Sequence, residues 1–420
     1  MSDVKEGSKH SGMAHLSIGA YRKAELAADP TARTRKYTVI SVDDHVVEPA
    51  HTFQGRLPQK FQDRAPKIVD LPDGSEAWRI DGADYPQIAM GAVVGRPRDQ
   101  WGFEATRYSD IRPGCYDVSH RIKDMDIDGV YATLNFPSLI AGLGGATFYT
   151  GVQEPEFGLS LVRAWNDWFY EEWMLPQPDR IIGCQVTWLG DPELAAAEVY
   201  RNAKRNFKAV TFPADPGNLG LPALRSGYWD PFLRACEETE TVVCLHVGSD
   251  NWNACPVGSA LEVGTLCFPL SSYRSAADWL WSGVPSRMPN LKISMSEGGI
   301  GWVLMLIDRI QYVMDHSAVS PDQAWLDKTT HPVDVFRRNF NFCAIEFGSA
   351  GIEDRHRIGI DKITVETDYP HADSTWPNTQ EMLHKAFSSF PAEDIRKLTW
   401  ENASKLFRHP VPDQLQVPSN

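Results

Sequence analysis

Hydrophobic positions in this chain fall in short β-branched runs separated by longer stretches of helical period. The first run, Thr38, Val39, Ile40 and Val42 within "YTVISVDDHVVEP", suits a buried strand. Seven more follow: "GVYATLNFP" (129–137), "IIGCQVTWL" (181–189), "FKAVTFP" (207–213), "TVVCLHVG" (241–248), "LKISMSEGG" (291–299), "NFNFCAIEF" (339–347) and "KITVETDYPHAD" (362–373). Amphipathic patterns such as "PELAAAEVYRNAKRN", "DPFLRACEE", "GWVLMLIDRIQYVM" and "AEDIRKLTWENASKLF" lie between them. Strand–helix alternation predicts a parallel sheet with crossover helices. Eight repeats predict an α/β fold of the (β/α)8 TIM barrel type, enlarged beyond the usual ~250 residues. A doubly wound open sheet is the alternative. No phosphate loop follows any strand, since Gly142, Gly144 and Gly145 lack the fingerprint spacing, and the barrel is preferred.

The remaining segments lack this rhythm. Residues 1–36 are polar and read as an N-terminal arm, either disordered or wrapped on a partner subunit. The barrel is expected over 37–410, with a C-terminal tail at 411–420. Its surplus length is a capping insertion after strand 1, at 50–115, in which "SEAWRIDGADYPQIA" reads as a hairpin around Asp-Gly. An excursion from a βα loop is expected over the barrel mouth, where such folds carry their sites.

Composition narrows the function. Of 420 residues, 41 are basic and 55 acidic, a formal charge of -14, which argues against a nucleic-acid groove. No run of about 18 apolar residues and no signal-peptide core is present, so no membrane segment and a soluble, cytoplasmic location are expected. Seven cysteines without a CxxC pair read as reduced thiols, neither a disulfide framework nor a zinc knuckle. "GxSxG" is absent, and the expected partner is a small-molecule substrate.

If the barrel is right, its strand ends collect Asp43, His45, Glu48, Asn135, His246, Glu297, Asp368, His371 and Asp373 at one mouth. Strand alternation points Asp43 and His45 the same way. Imidazole and carboxylate are the ligands that zinc, manganese and iron take. Any one of these residues alone is better read as a helix cap or an ordinary hydrogen-bonded side chain; their convergence predicts a metal centre. Asn135, Asp373 and Trp376 are candidates for substrate contact. Arg274 and "RSGYW" (225–229) offer carboxylate pairing, with plain solvation as the competing reading.

The D-x-H of Asp43 and His45, "DVSHRIKDMDIDGVYATLNFPS", "LHVGS", "TDYPHADSTWP" and "NASKLF" together resemble the amidohydrolase superfamily. The resemblance is to the branch containing aminocarboxymuconate-semialdehyde and resorcylate decarboxylases and related hydrolases, and it covers about residues 37–408. It implies that Asp43, His45, His246 and Asp368 hold the principal metal. One place departs from the pattern: the branch has a histidine before the strand-six Gly-Gly, and Glu297 stands there instead. With His371, and with Glu48 and His120 behind them, Glu297 would suit a second ion, although His120 reads equally well as an exposed helix-start residue. This arrangement resembles a subgroup of oxygenases with a dinuclear iron or manganese–iron site. It implies O2-dependent hydroxylation of a small organic acid or amino-acid-like substrate, with reductase and ferredoxin-type electron donors. The alternative is a hydrolase or non-oxidative decarboxylase with a single zinc or manganese ion, in which Glu297 and His371 are the catalytic groups. A further alternative is a non-catalytic structural subunit of a hetero-oligomer; a homo- or hetero-oligomer is expected on any of these readings. Lys208 opens its strand rather than ending it, which argues against a lysine-bridged pair of metals.

Overall fold

The computed structural model describes residues 21–418 apart from positions 90, 103–105, 251, 253–254, 257 and 317–324. Residues 1–20 of the expected arm and the last two of the tail therefore lie outside the described residues. In chain order the strands are β1 (Ile40–His45), β2 (Lys67–Asp70), β3 (Glu76–Ile80), β4 (Ala83–Tyr85), β5 (Ala132–Phe136), β6 (Ile181–Ile182) and β7 (Cys184–Val186). They continue as β8 (Ala209–Thr211), β9 (Val242–His246), β10 (Ile293–Ser296), β11 (Phe340–Ala344) and β12 (Ile363–Val365).

Nine of these form one parallel sheet in the order β6-β5-β1-β12-β11-β10-β9-β8-β7. β6 and β7 are two halves of one strand interrupted at Gly183, one half pairing with β5 and the other with β8. The sheet thus closes on itself as the eight-stranded barrel, and each of the eight apolar runs supplies one barrel strand. Gly183 is needed for space: a Cβ there would lie 2.5 Å from Met174 Sδ. The barrel strands are buried along their whole length, as expected for parallel strands enclosed by helices. The helices Pro192–Ala203, Asp230–Glu238 and Trp302–His316 fall on the amphipathic patterns.

The insertion carries the separate antiparallel sheet β2-β3-β4. Its β3–β4 turn is Asp81-Gly82, with φ of 49° and 82°, the left-handed pair that a tight hairpin requires. Trp78, Ile80 and Tyr85 bury themselves with Phe53, Phe148 and Phe157. The backbone N–H groups of Val93 and Val94 both donate to the Pro370 carbonyl, at 2.9 and 3.2 Å. This fastens the insertion to the loop after β12.

The described part of the arm, 21–36, lies along the chain's own insertion and barrel rather than standing apart from them. Tyr21 O–H donates to Asp110 at 2.7 Å, Asp29 pairs with Arg112 at 2.8 Å, and Arg33 donates to the Pro377 carbonyl at 2.9 Å. The tail returns beneath the barrel, where Thr38 N–H donates to the Val417 carbonyl. No helix among the described residues is long and apolar enough to cross a membrane.

Candidate metal centre

Asp43 and His45 leave β1 on the barrel side, 0% and 1% exposed, and His246 ends β9 at 1%. Glu297 is the first residue past β10, and Asp368 is the third past β12. Both have left-handed backbones, φ 61° and 46°, an uncommon conformation for non-glycine residues. The Asp368 N–H donates to the Asp43 carbonyl at 2.9 Å, tying the two carboxylate-bearing segments together.

Their donor atoms converge. His45 Nε2 lies 3.1 Å from His246 Nε2 and 3.5 Å from both Asp43 Oδ1 and Asp368 Oδ1. His246 Nε2 lies 3.6 Å from Asp43 Oδ1 and 3.4 Å from Glu297 Oε2. Atoms held about 2.1 Å from a shared cation stand roughly 3.0–3.4 Å apart, so the spacing is that of ligands around one centre. Both oxygens of Asp43 and Oδ2 of Asp368 are buried without a hydrogen-bond partner. Buried carboxylate oxygens without partners are costly, and a cation is the partner this donor set fits. His246 Nδ1 is 2.7 Å from the Val247 carbonyl. As the donor in that bond it leaves the Nε2 lone pair facing the cluster.

The electrostatics agree. Burial, then the charges of Glu366, Asp368 and Glu297, pushes the Asp43 carboxyl well above the usual range. Burial likewise raises Glu297 and Asp368, with Asp373 adding to both. Burial lowers His45 well below its ordinary value, His246 to about 3 and His371 to about 4. A cation would favour ionised carboxylates together with neutral imidazoles, the state in which all of them can bind it.

His371 and Asp373 join the cluster's rim. His371 Nδ1 is 2.9 Å from Asp368 Oδ1, and its ring centroid lies 4.1 Å from that of His45. Asp373 is exposed, with a carboxylate oxygen in reach of Glu297 and Asp368.

The structure does not bring Glu48 or His120 there. Glu48 is fully buried, but its carboxylate accepts from Ser138 N–H at 3.1 Å, from Trp165 Nε1 at 2.7 Å and from the Ser138 hydroxyl. Past β1 the chain has turned away from the barrel axis, so proximity in sequence to the D-x-H misled. His120 is 47% exposed on the helix Val118–Asp128 and pairs with Asp117. Asn135 is buried, with its amide accepting from Trp173 Nε1 and donating to Thr133. Trp376 donates to the Asp124 carbonyl and packs beneath the Arg112 guanidinium. Arg274 is paired with Asp250 and Asp215, and Arg225 donates to the Trp281 carbonyl.

Four residues given no role in the sequence reading support the centre. Asp44 accepts from Thr133, Thr367, Ser41 and the Tyr369 N–H, stitching β1 to β5 and to the loop after β12. Arg121, 0% exposed, donates to the carbonyls of His45 and Gly114. Glu366 and Cys343 lie beneath Asp43, with ligand-type atoms of all three within 4.8 Å of one another. Period-two alternation with Asp368 was a usable signal for Glu366; no signal in the sequence marks Cys343.

The amidohydrolase family profile matches residues 112–409. A gamma-resorcylate decarboxylase of Polaromonas sp. (strain JS666 / ATCC BAA-500) is 26% identical over 340 residues, 74% of this chain and 94% of that protein. An amidohydrolase structure from Mycobacterium avium subsp. paratuberculosis K-10 matches with a TM-score of 0.71 at 24% identity, covering 89% of this chain and 100% of that one. The 5-carboxyvanillate decarboxylase of Sphingomonas paucimobilis matches at TM-score 0.60 and 18% identity, covering 89% and 99%. A dihydroxybenzoic acid decarboxylase of Polaromonas sp. JS666, solved with bound manganese and 2-nitroresorcinol, matches at 0.55 and 18%, covering 89% and 97%. From this profile match, and with the barrel closed around a His/carboxylate centre, the chain belongs to the amidohydrolase family.

Proposed function

We propose that this protein is a divalent-cation-dependent, non-oxidative decarboxylase of a small carboxylic acid, with Asp43, His45, His246 and Asp368 as the metal ligands. The observation that carries this reading is the convergence of those four side chains with partnerless buried oxygens on Asp43 and Asp368. Its decarboxylase relatives, one of them with manganese, support the choice of reaction. A bound divalent cation supplies positive charge that neutralises the carboxylates and draws a substrate oxygen to the mouth. The chain's own part is to hold that oxygen's neighbourhood rigid and to deliver a proton. When the carbon–carboxylate bond breaks, the electron pair stays on carbon, CO2 leaves, and that carbon must take up a proton. Glu297 stands at the mouth, 3.4 Å from His246, and is not one of the four ligands. It is assigned as the proton donor. His371 orients Asp368 through their 2.9 Å contact.

A second reading rests on a specific observation. Glu297, Asp368 and Asp373 form a further carboxylate group beside the first, with His371 adjoining, enough for a second ion. That arrangement favours O2-dependent hydroxylation at two iron or manganese ions with external electron donors. One experiment separates the readings: metal analysis of protein purified without added metals, followed by turnover assays. One manganese or zinc per chain and CO2 release from 2,6-dihydroxybenzoate or 5-carboxyvanillate without O2 supports the decarboxylase. Two ions with iron, and O2 uptake in the presence of a reductant, refutes it in favour of the oxygenase.

A further inference from the structure

Glu297 occupies a conformation that its own segment does not secure. It follows β10 directly, where ladder pairing with β9 ends at Ser296, and it precedes Gly298 and Gly299, the latter also at positive φ. A non-glycine residue at φ 61° persists only where its surroundings impose it. The N–H of Glu297 donates to Glu366 Oε2 at 3.3 Å. The same Glu366 oxygen accepts from the Cys343 thiol, which also reaches the Met295 carbonyl at 3.1 Å. Glu366 is 0% exposed and its other oxygen has no hydrogen-bond partner. Its bond to the Glu297 N–H is the contact through which it reaches the mouth of the centre.

We propose that Glu366 is a positioning residue: anchored by Cys343, it grips the Glu297 backbone and keeps that carboxylate aimed at His246. This rests on the reading above that Glu297 works at the centre. Cys343 and Glu366 come from neighbouring strands paired through Cys343↔Thr364, so β11 and β12 set the direction of a side chain carried by β10.

The test uses the full chain loaded with Mn2+, with affinity read from the loss of the free-ion electron paramagnetic resonance signal and geometry from the bound-ion spectrum. Groups just outside a metal's ligands cost about 10–100-fold in affinity or activity when removed. Glu366→Ala is expected to lower turnover by that order and to alter the bound-ion spectrum as Glu297→Gln does, with Mn2+ affinity near wild type because the four ligands remain. The double variant is expected to be no worse than the worse single one. Glu366→Gln keeps the acceptor and is expected to stay near wild type. Should Glu366→Ala not fold, Cys343→Ala tests the same chain of contacts, and Cys343→Ser should restore it. Multiplying effects in the double variant, or Glu366→Gln as damaging as Glu366→Ala, would overturn the positioning role. If Glu297→Gln alone leaves both Mn2+ binding and turnover unchanged, the role assigned to Glu297 fails and this proposal fails with it. A loss on Glu297→Gln with none on Glu366→Ala or Cys343→Ala removes only the positioning role.

Discussion

Glu48 offers a sharp test because its two oxygens are engaged differently. Oε1 accepts two N–H groups that cannot reverse, from Ser138 at 3.1 Å and Trp165 Nε1 at 2.7 Å. Oε2 accepts from the Ser138 hydroxyl, which can rotate to accept instead. Glu48→Gln can therefore keep all three bonds, with its amide nitrogen donating to that hydroxyl, while removing a buried charge. Its stability should stay within about 1 kcal/mol of wild type. Glu48→Ala strands both fixed N–H donors at roughly 1–3 kcal/mol each and opens a cavity, for a loss of about 3–5 kcal/mol. Urea unfolding of the metal-loaded protein measures the difference, and metal content is counted in parallel. Loss of metal from a stably folded Glu48→Gln protein would refute the assignment of Glu48 as a clasp on the loop after β5 and restore it as a ligand.

Asp43→Asn should lower Mn2+ affinity at least tenfold by equilibrium dialysis, since it removes the charge from a carboxylate whose two oxygens have no other partner. Asp128, buried beneath Thr379, has its carboxyl raised by burial from 3.8 to about 7. A raised carboxyl means that the folded state binds the extra proton, so this group's contribution is full below pH 3.8 and fades as pH rises through about 7. The change is about 4 kcal/mol at most. Asp128→Asn should thus be more stable than wild type at pH 8 and lose that advantage by pH 4 in thermal melts. Gly114→Ala would place a methyl 2.2 Å from Asp124 Oδ2 and 2.6 Å from the Tyr369 hydroxyl. It should cost about 2–4 kcal/mol by disturbing the buried Arg112–Asp124 pair, read as a lowered unfolding midpoint.

The barrel was legible because its buried strands are written as short, largely apolar and β-branched runs at regular spacing, and each of the eight supplied one strand. The centre was legible where alternation operates: Asp43 with His45, and the strand-end His246, needed no more than a strand direction. Legibility failed where the chain leaves the strand. Glu48 lies three residues past His45, after the turn has carried it to the helix bearing Trp165. His120 looked available only because helix facing cannot be fixed for a short polar segment. Cys343 was invisible because its meaning comes from Glu366 on the next strand, a relation that no single stretch contains.

The bond from Asp368 N–H to the Asp43 carbonyl joins residues 325 positions apart, and this has a consequence for how the protein is made. No ligand pair spanning it exists until β12 has been synthesised and docked between β1 and β11. A nascent chain of even 350 residues lacks Asp368 and His371 altogether, with Asp43 and His45 exposed on an unclosed sheet. On the proposed assignment of ligands, metal would be acquired late in biosynthesis, by the closed barrel, and a bound ion would certify that β1 and the loop after β12 have met.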